Sequence, residues 1–262
     1  MSGRLQGKVC IVTGGAQGIG AAYATAMAAE GADVAIIDLK RIDQAAEVEA
    51  AIAEIGGRSI ALRADVTDAD QMHEAVATVV GEFGRVDCLV NNAALMFDQL
   101  TASWDDFLAV NFMGVINASN AVVPYLWEQG SGSIVNISST AAFPIPLPDF
   151  LRPGPDSPPP RVDPSGYGIT KWMVIFQTRH MAQILGVKNI RVNAVAPGVT
   201  MSPATKAVVP EPIIDALAAA SALHTTLEPE DMTGIVVYLA SDESTKMTGQ
   251  VLINDAGTWF SG

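Results

Sequence analysis

Cysteine, histidine and positive charge are all scarce in this chain. Two cysteines in 262 residues, Cys10 and Cys88, cannot build the disulfide framework of a small secreted scaffold. Both fall in apolar stretches with strand character, so buried thiols in a reducing compartment are expected, and the cytoplasm is the expected location. The three histidines, His73, His180 and His224, show no ligand spacing, and no metal site is expected. Lys and Arg number 15 against 28 Asp and Glu, a net charge of −13. Such a surface repels phosphate backbones and anionic lipid, which argues against nucleic acid and membrane as partners. The opening Met-Ser-Gly-Arg-Leu-Gln-Gly-Lys lacks the apolar core of a signal peptide. No uninterrupted apolar run reaches ~18 residues, so no transmembrane helix is expected. No fixed-period repeat is visible.

Apolar residues make up 49% of the chain, enough to bury one large core at this length. Short apolar runs alternate with helical patterns from end to end. Strands are expected near 8–13, 33–38, 59–63, 86–90, 132–138, 190–196 and 250–254. Helices are expected near 18–30, 43–55, 69–83, 103–128, 166–185, 211–222 and 229–240. This alternation predicts an α/β fold: a single Rossmann-like, doubly wound parallel sheet of about seven strands flanked by helices, one domain spanning 1–262.

The first strand, Val9-Cys10-Ile11-Val12, runs into Thr13-Gly14-Gly15-Ala16-Gln17-Gly18-Ile19-Gly20, then an Ala-rich helix, a second strand and Asp38. In a dinucleotide fold the glycines let backbone approach the pyrophosphate, and the helix N-terminus supplies N–H groups and partial positive charge. Asp38, 18 residues after Gly20, can accept from the adenosine ribose hydroxyls. With so few basic side chains, backbone and helix dipole must hold the phosphates.

Tyr167 and Lys171 are four apart, on one face of a helix. A phenol with an ordinary pKa near ~10 is a poor base at neutral pH. A fixed ammonium favours the phenolate, so the pair is a plausible acid/base for an alcohol proton.

In this order the two sites resemble the short-chain dehydrogenase/reductase family over nearly the whole chain. The Gly-rich turn matches the family's cofactor motif, with Gly14, Gln17, Gly18, Ile19 and Gly20 at the cofactor and Leu39 beside Asp38. Asp65-Val66 matches its adenine-contacting pair. Asn91-Asn92-Ala93-Ala94 matches its Asn-Asn-Ala-Gly motif, with Ala94 in place of the last Gly. Asn111 matches its helix Asn, Ile137-Ser138-Ser139 the strand carrying its Ser, and Pro197-Gly198 the segment near the nicotinamide, continued by Val199, Thr200 and Ser202. The resemblance implies a catalytic set of Asn111, Ser139, Tyr167 and Lys171. Tyr167 would take the alcohol proton. Lys171 would lower the tyrosine pKa and hold the nicotinamide ribose. Ser139, preferred over its neighbour Ser138, would position the substrate oxygen. Asn111 would open its helix locally and hold a water linking Lys171 to solvent. Ser202 stands where the family often has a Thr at the carboxamide, and Thr200 competes with it. The expected cofactor is NAD: Asp38 would repel a 2′-phosphate, and Gln17 stands where NADP users of this family often carry Arg or Lys. Lys40 and Arg41 pull the other way but are expected to face solvent.

Candidate substrate-wall residues are Leu95, Met96, Phe97, Thr140, Ala141, Phe143, Val199 and Met201, nearly all apolar. They favour a hydrophobic, cyclic or aromatic, secondary alcohol and its ketone. Reduction of a 3-oxoacyl thioester is the alternative, and a catalytically silent NAD-binding sensor or scaffold is a third reading, disfavoured by the complete residue set. Between Phe143 and Pro164 lie nine of the fifteen prolines. Ser139 and Tyr167 are 28 apart, about twice the gap usual in the resembled family. Proline at this density excludes helix and central strand, so 143–164 is expected to be an irregular insertion, either a substrate lid or an intersubunit contact. The helices near 103–128 and 166–185 are apolar on more than one face, and a homotetramer is expected, with a dimer as fallback.

Overall fold

Parallel strands covered on both faces must be apolar throughout, and the continuous runs of this chain meet that requirement. In the computed structural model, which describes residues 3–96, 102–143, 154–157 and 166–259, they form one seven-stranded parallel sheet in the order β3-β2-β1-β4-β5-β6-β7. The strands are β1 (Val9–Thr13), β2 (Asp33–Asp38), β3 (Ser59–Arg63), β4 (Cys88–Asn91), β5 (Gly132–Ile137), β6 (Ile190–Pro197) and β7 (Val251–Asn254). Alternate residues feed opposite layers. Cys10 and Val12 pack with α1 (Gly18–Ala29), α2 (Ile42–Glu54) and α9 (Thr233–Ala240). Val9 and Ile11 pack with α3 (Ala69–Phe83), α5 (Gly114–Gln129) and α6 (Gly166–Leu185). Cys10 and Cys88 are free, buried and direct partners across β1 and β4.

The expected helix 103–128 is three pieces: α4 (Trp104–Phe107), a π-helical stretch (Leu108–Met113) and α5. Ser103 and Asp106 start it with a reciprocal capping box. By length and composition this 104–129 segment could cross a membrane, its best 18-residue window having a mean hydropathy of 1.4. Asn111, Asn117, Ser119 and Asn120 interrupt its apolar run, and a buried core helix meets the same criterion. Ala118, Ala121, Val122 and Leu126 bury one face of the segment in the core. Two short helices, α7 (Pro203–Val208) and α8 (Glu211–Ala220), lie between β6 and α9. Strand order reverses between β1 and β4, and a crevice at that point is where an open α/β sheet binds its ligand.

Candidate active site

A cleft of about 730 Å³ opens at this point. One end of it is built mainly from backbone. Gly14, Gln17, Gly18, Ile19 and Gly20 line it, with Asp38, Leu39, Asp65, Val66, Asn92, Ala93 and Ala94. The turn is held by Asn92, whose Nδ2 donates to the carbonyls of Thr13 and Gly14, each at 3.0 Å. Thr13 Oγ1 accepts in return from the Asn92 and Ala93 amides at 3.0 and 3.1 Å. A Cβ on Gly20 would run into the Gly14 carbonyl and Asn92 Nδ2, so only glycine permits this close turn. No side chain caps α1, which leaves its first-turn N–H groups facing the cleft.

Asp38 closes β2 at the far end. Its carboxylate accepts from the amides of Arg41 (3.1 Å), Lys40 (3.2 Å) and Ala16 (3.4 Å), tying the following turn to the Gly-rich one. Lys40 and Arg41 are exposed to solvent, as expected, and also line the rim of the cleft. Asp65 turns its carboxylate to Thr67, accepting from its amide at 2.9 Å and its hydroxyl at 2.8 Å. An uncapped helix start, a glycine turn with no room for a side chain and an acid at the strand end fit a dinucleotide.

The other end is built from side chains, Lys171 and Asn111 buried and Ser139 and Tyr167 half-buried. Ser139 lies two residues past the end of β5 and caps a single 3₁₀ turn over Thr140–Ala142, its Oγ accepting from the Ala141 amide at 3.1 Å. The same hydroxyl hydrogen-bonds Tyr167 in the first turn of α6. Ser138 is committed elsewhere, its Oγ donating to the Lys171 carbonyl at 2.8 Å, which supports Ser139 as the serine that meets substrate. Lys171 is only 3% exposed and donates from Nζ to the Ile137 carbonyl at 2.8 Å. Its ammonium lies 5.6 Å from the Tyr167 ring centre. Burial pushes the Lys171 pKa down to about 8. Burial also raises the Tyr167 phenol above its ordinary value, and the Ser139 hydrogen bond partly offsets this. Ser139 thus lowers the Tyr167 pKa against a larger effect of burial, and the Lys171 ammonium lies beside the same ring.

Asn111 sits fully buried in the π-helical stretch. Its Oδ1 accepts from the Leu95 amide at 2.7 Å, and its Nδ2 donates to the Leu95 carbonyl at 3.0 Å and to Thr170 Oγ1 at 3.3 Å. The irregular helix thus aims an amide at both the cleft wall and α6.

Tyr167, Lys171, Pro197, Gly198, Thr200 and Ser202 all line the cleft, as do Leu95 and Met96. Thr200 Oγ1 donates to the Gly198 carbonyl at 3.2 Å, while Ser202 caps α7 through the Thr205 amide at 3.2 Å. Five of the expected wall residues lie off the cleft: Thr140, Ala141, Phe143, Val199 and Met201. Thr140 is buried and donates to the Pro197 carbonyl at 3.2 Å, because the 3₁₀ turn swings it onto the sheet. Ala141 is occupied with Ser139 and with α6. Phe143 stacks on Trp259, ring centres 5.4 Å apart and planes 8° apart. Met201 and Val199 pair with Leu227 through backbone bonds of 2.7 and 3.0 Å. Phe97 and most of the 143–164 insertion lie outside the described residues, and with them the choice between lid and interface. Residues that the motif reading passed over also line the cleft: Ala102 just before α4, Asp106, Ala109 and Val110 from α4 and the π-helical stretch, and Pro203–Thr205 from α7. The capping box at Ser103 and the Ser202-Pro203 helix start were the available signals for these two short elements.

The comparisons with known proteins follow this geometry. Residues 8–148 match the family profile described as short chain dehydrogenase, and residues 161–258 the one described as Enoyl-(Acyl carrier protein) reductase. The chain is 38% identical over 259 residues to the 3-oxoacyl-[acyl-carrier-protein] reductase FabG of Thermotoga maritima, covering 97% of this chain and 98% of that one. It is 39% identical over 263 residues to the 3-alpha-(or 20-beta)-hydroxysteroid dehydrogenase of Mycobacterium tuberculosis, covering 98% and 92%. Among solved structures, a 7 alpha-hydroxysteroid dehydrogenase complexed with NADH and 7-oxo glycochenodeoxycholic acid superposes with a TM-score of 0.85 at 29% identity, covering 97% and 95%. A sheet that reverses order at its Gly-rich turn and a Ser–Tyr–Lys cluster at the strand ends agree with those matches, and the chain belongs to the short-chain dehydrogenase/reductase family of nicotinamide-dependent oxidoreductases.

Proposed function

We propose that the protein transfers a hydride, with NAD as cofactor, between a hydrophobic, cyclic or aromatic, secondary alcohol and its ketone. The observation that carries this reading is the hydrogen-bonded Ser139–Tyr167 pair, one helical turn from the buried Lys171, at the opposite end of the same cleft from Asp38. Asp38 and Leu39 would meet the adenosine ribose, the first turn of α1 the pyrophosphate, and Pro197, Gly198, Thr200 and Ser202 the nicotinamide side. A bound nicotinamide supplies the hydride acceptor or donor. In oxidation, Tyr167 as phenolate takes the alcohol proton and becomes the neutral phenol, while Ser139 fixes that oxygen by donating to it. Lys171, as the ammonium, would favour that phenolate and hold the nicotinamide ribose. Asn111 holds Leu95 and Thr170 in place around them.

The apolar wall of Leu95, Met96, Ala109 and Val110 supports an apolar substrate. So does similarity to hydroxysteroid dehydrogenases. The reductase from Thermotoga maritima favours a second reading, reduction of a 3-oxoacyl thioester. A panel of cyclic, aromatic and sterol alcohols with NAD⁺ and NADP⁺, read by absorbance of the reduced nicotinamide, tests the first. Turnover of a 3-oxoacyl thioester with a reduced cofactor, and of no alcohol in the panel, would overturn it. We also propose a homotetramer. Trp172 and Phe176 are 53% and 62% exposed on α6, stacked with ring centres 6.3 Å apart, and Met113 and Ile169 lie exposed on neighbouring turns. Light scattering at micromolar concentration checks this, and a monomer would contradict it.

A further inference from the structure

Tyr167 is flanked in sequence by two glycines, Gly166 and Gly168, at the start of a helix where alanine would be the better former. Neither glycine adopts a positive φ. Their cause is therefore space rather than backbone freedom. A Cβ at position 168 would sit 2.7 Å from the Ala141 carbonyl oxygen. A Cβ at position 166 would sit 2.7 Å from Phe107 Cδ2 and 3.1 Å from its Cγ. Each distance is well inside van der Waals contact, so each glycine marks a place where α6 is drawn against a neighbour.

The two neighbours carry the rest of the proposed catalytic set. Ala141 belongs to the turn that Ser139 caps, and its amide is the donor to Ser139 Oγ. One peptide segment therefore orients the serine from its N–H and abuts α6 through its carbonyl. Phe107 ends α4 directly before the π-helical stretch that holds Asn111. Asn111 reaches α6 through Thr170, whose hydroxyl also bonds the Gly166 carbonyl at 2.7 Å. On the Ser139 side the obstacle to a methyl group is backbone, which can yield only by moving the turn. On the Asn111 side it is a ring, which can yield by itself.

We infer that Gly166 and Gly168 are positioning residues of the acid/base site, Gly168 setting the approach of Ser139 to Tyr167 and Gly166 that of the Asn111-bearing helix; this rests on the catalytic reading above. A methyl at 168 displaces α6 from the Ser139 turn and lengthens the hydrogen bond that lowers the Tyr167 pKa. Misplacement of reacting groups by about 1 Å is worth up to ~100-fold in rate.

The test compares Gly168→Ala, Gly166→Ala, Gly166→Ala/Phe107→Ala, Phe107→Ala and Tyr167→Phe. Gly81→Ala serves as the control, a glycine inside α3 with nothing near its missing Cβ. Activity is measured with NAD⁺ and whichever alcohol the wild type oxidises, cofactor affinity by NADH fluorescence, and Tyr167 ionisation by ultraviolet difference titration of the cofactor-free protein against Tyr167→Phe. Gly168→Ala should lower kcat by ~10- to 100-fold, with KM and NADH affinity changed by no more than about threefold. The Tyr167 titration and the rising limb of kcat should move to higher pH. Gly166→Ala should lose less, and adding Phe107→Ala should recover part of that loss, making the double variant better than the product of the singles. Gly81→Ala should keep wild-type kinetics and raise Tm. Wild-type kcat with an unmoved Tyr167 titration in Gly168→Ala overturns the inference. So do losses at 166 and 107 that simply multiply, an arm that decides the matter if Gly168→Ala does not fold. If Tyr167→Phe keeps turnover, the catalytic reading itself has failed and the inference falls with it. If Tyr167→Phe is inactive while the glycine variants are normal, only the inference has failed.

Discussion

The two ends of the cleft solve different problems with different materials. The Asp38 end uses main chain: a glycine turn, an uncapped helix start and an acid that holds two loops by their amides. The Tyr167 end uses buried side chains, Lys171 and Asn111 among them, whose polar atoms are bonded to backbone carbonyls and amides. Backbone recognises a ligand at almost no cost in buried charge. Proton transfer is served by groups whose ionisation has been displaced, and burial and hydrogen bonding displace it at Lys171 and Tyr167. Variants at the two ends should therefore separate binding from chemistry.

The largest separation is expected from Tyr167→Phe. Only a hydroxyl is lost, so NADH affinity should stay near wild type while kcat falls by ~10²–10⁴-fold, the usual cost of removing a positioned acid/base. Turnover within a few-fold of wild type would erase the distinction between the two ends.

Lys171 sharpens the comparison through stability. Its folded pKa, about 8, lies below its ordinary value of 10.5, because burial disfavours the ammonium. Below pH 8 the native state bears that cost in full. Between pH 8 and 10.5 the unfolded chain holds the extra proton, so native stability rises with pH across that window, by up to about 3 kcal/mol. Lys171→Met removes the titration. Its stability advantage over wild type, or its deficit from losing the Ile137 bond, should shift toward wild type's favour as pH climbs from 8 to 10. A pH-independent difference in Tm would contradict this.

Asp38→Asn keeps an acceptor for the Lys40 and Arg41 amides and removes only the charge. The preference for NAD⁺ over NADP⁺ should fall by about tenfold, near ~1.4 kcal/mol, with kcat for NAD⁺ little changed. The two rim cations, Lys40 and Arg41, would then face a 2′-phosphate without the acid between them. A wild type that already uses both cofactors equally would show that this end does not discriminate. The smallest effect is expected from Trp259→Ala. Losing the stack on Phe143 should cost ~1 kcal/mol and lower Tm by about 2–4 °C. An unchanged Tm would mean the ring pair does not hold the start of the insertion.

The contrast between the ends also explains what could be read from sequence. Strands β2 and β3 fall on their expected residues, β2 as a run buried through its middle and β3 as a half-buried edge strand. The Gly-rich turn and Asp38 were legible because a pyrophosphate and a ribose impose residue types at fixed spacing. Ser139, Tyr167 and Lys171 were legible for the same kind of reason. The substrate wall was not. Thr140 and Phe143 follow Ser139 in sequence, but a single 3₁₀ turn sends one onto the sheet and the other to Trp259, more than 100 residues away. No local pattern encodes a partner at that distance. Spacing likewise showed which charge lies near Tyr167 but not how deeply the phenol would be buried, and burial raises its pKa.

The π-helical stretch changes the phase of its helix. Each residue of an α-helix advances about 100° around the axis, so a widened turn rotates everything before it relative to everything after it. Here α4 is turned toward α6, while α5 keeps its apolar stripe on α3 and the sheet. One continuous helix thereby presents two unaligned faces, and Asn111 stands at the seam. Deleting a single residue between Leu108 and Met113 would restore regular winding and dial α4, with its contribution to the cleft wall, out of alignment. The helix behaves as a sentence with one inserted letter, whose meaning depends on where the reading frame is broken.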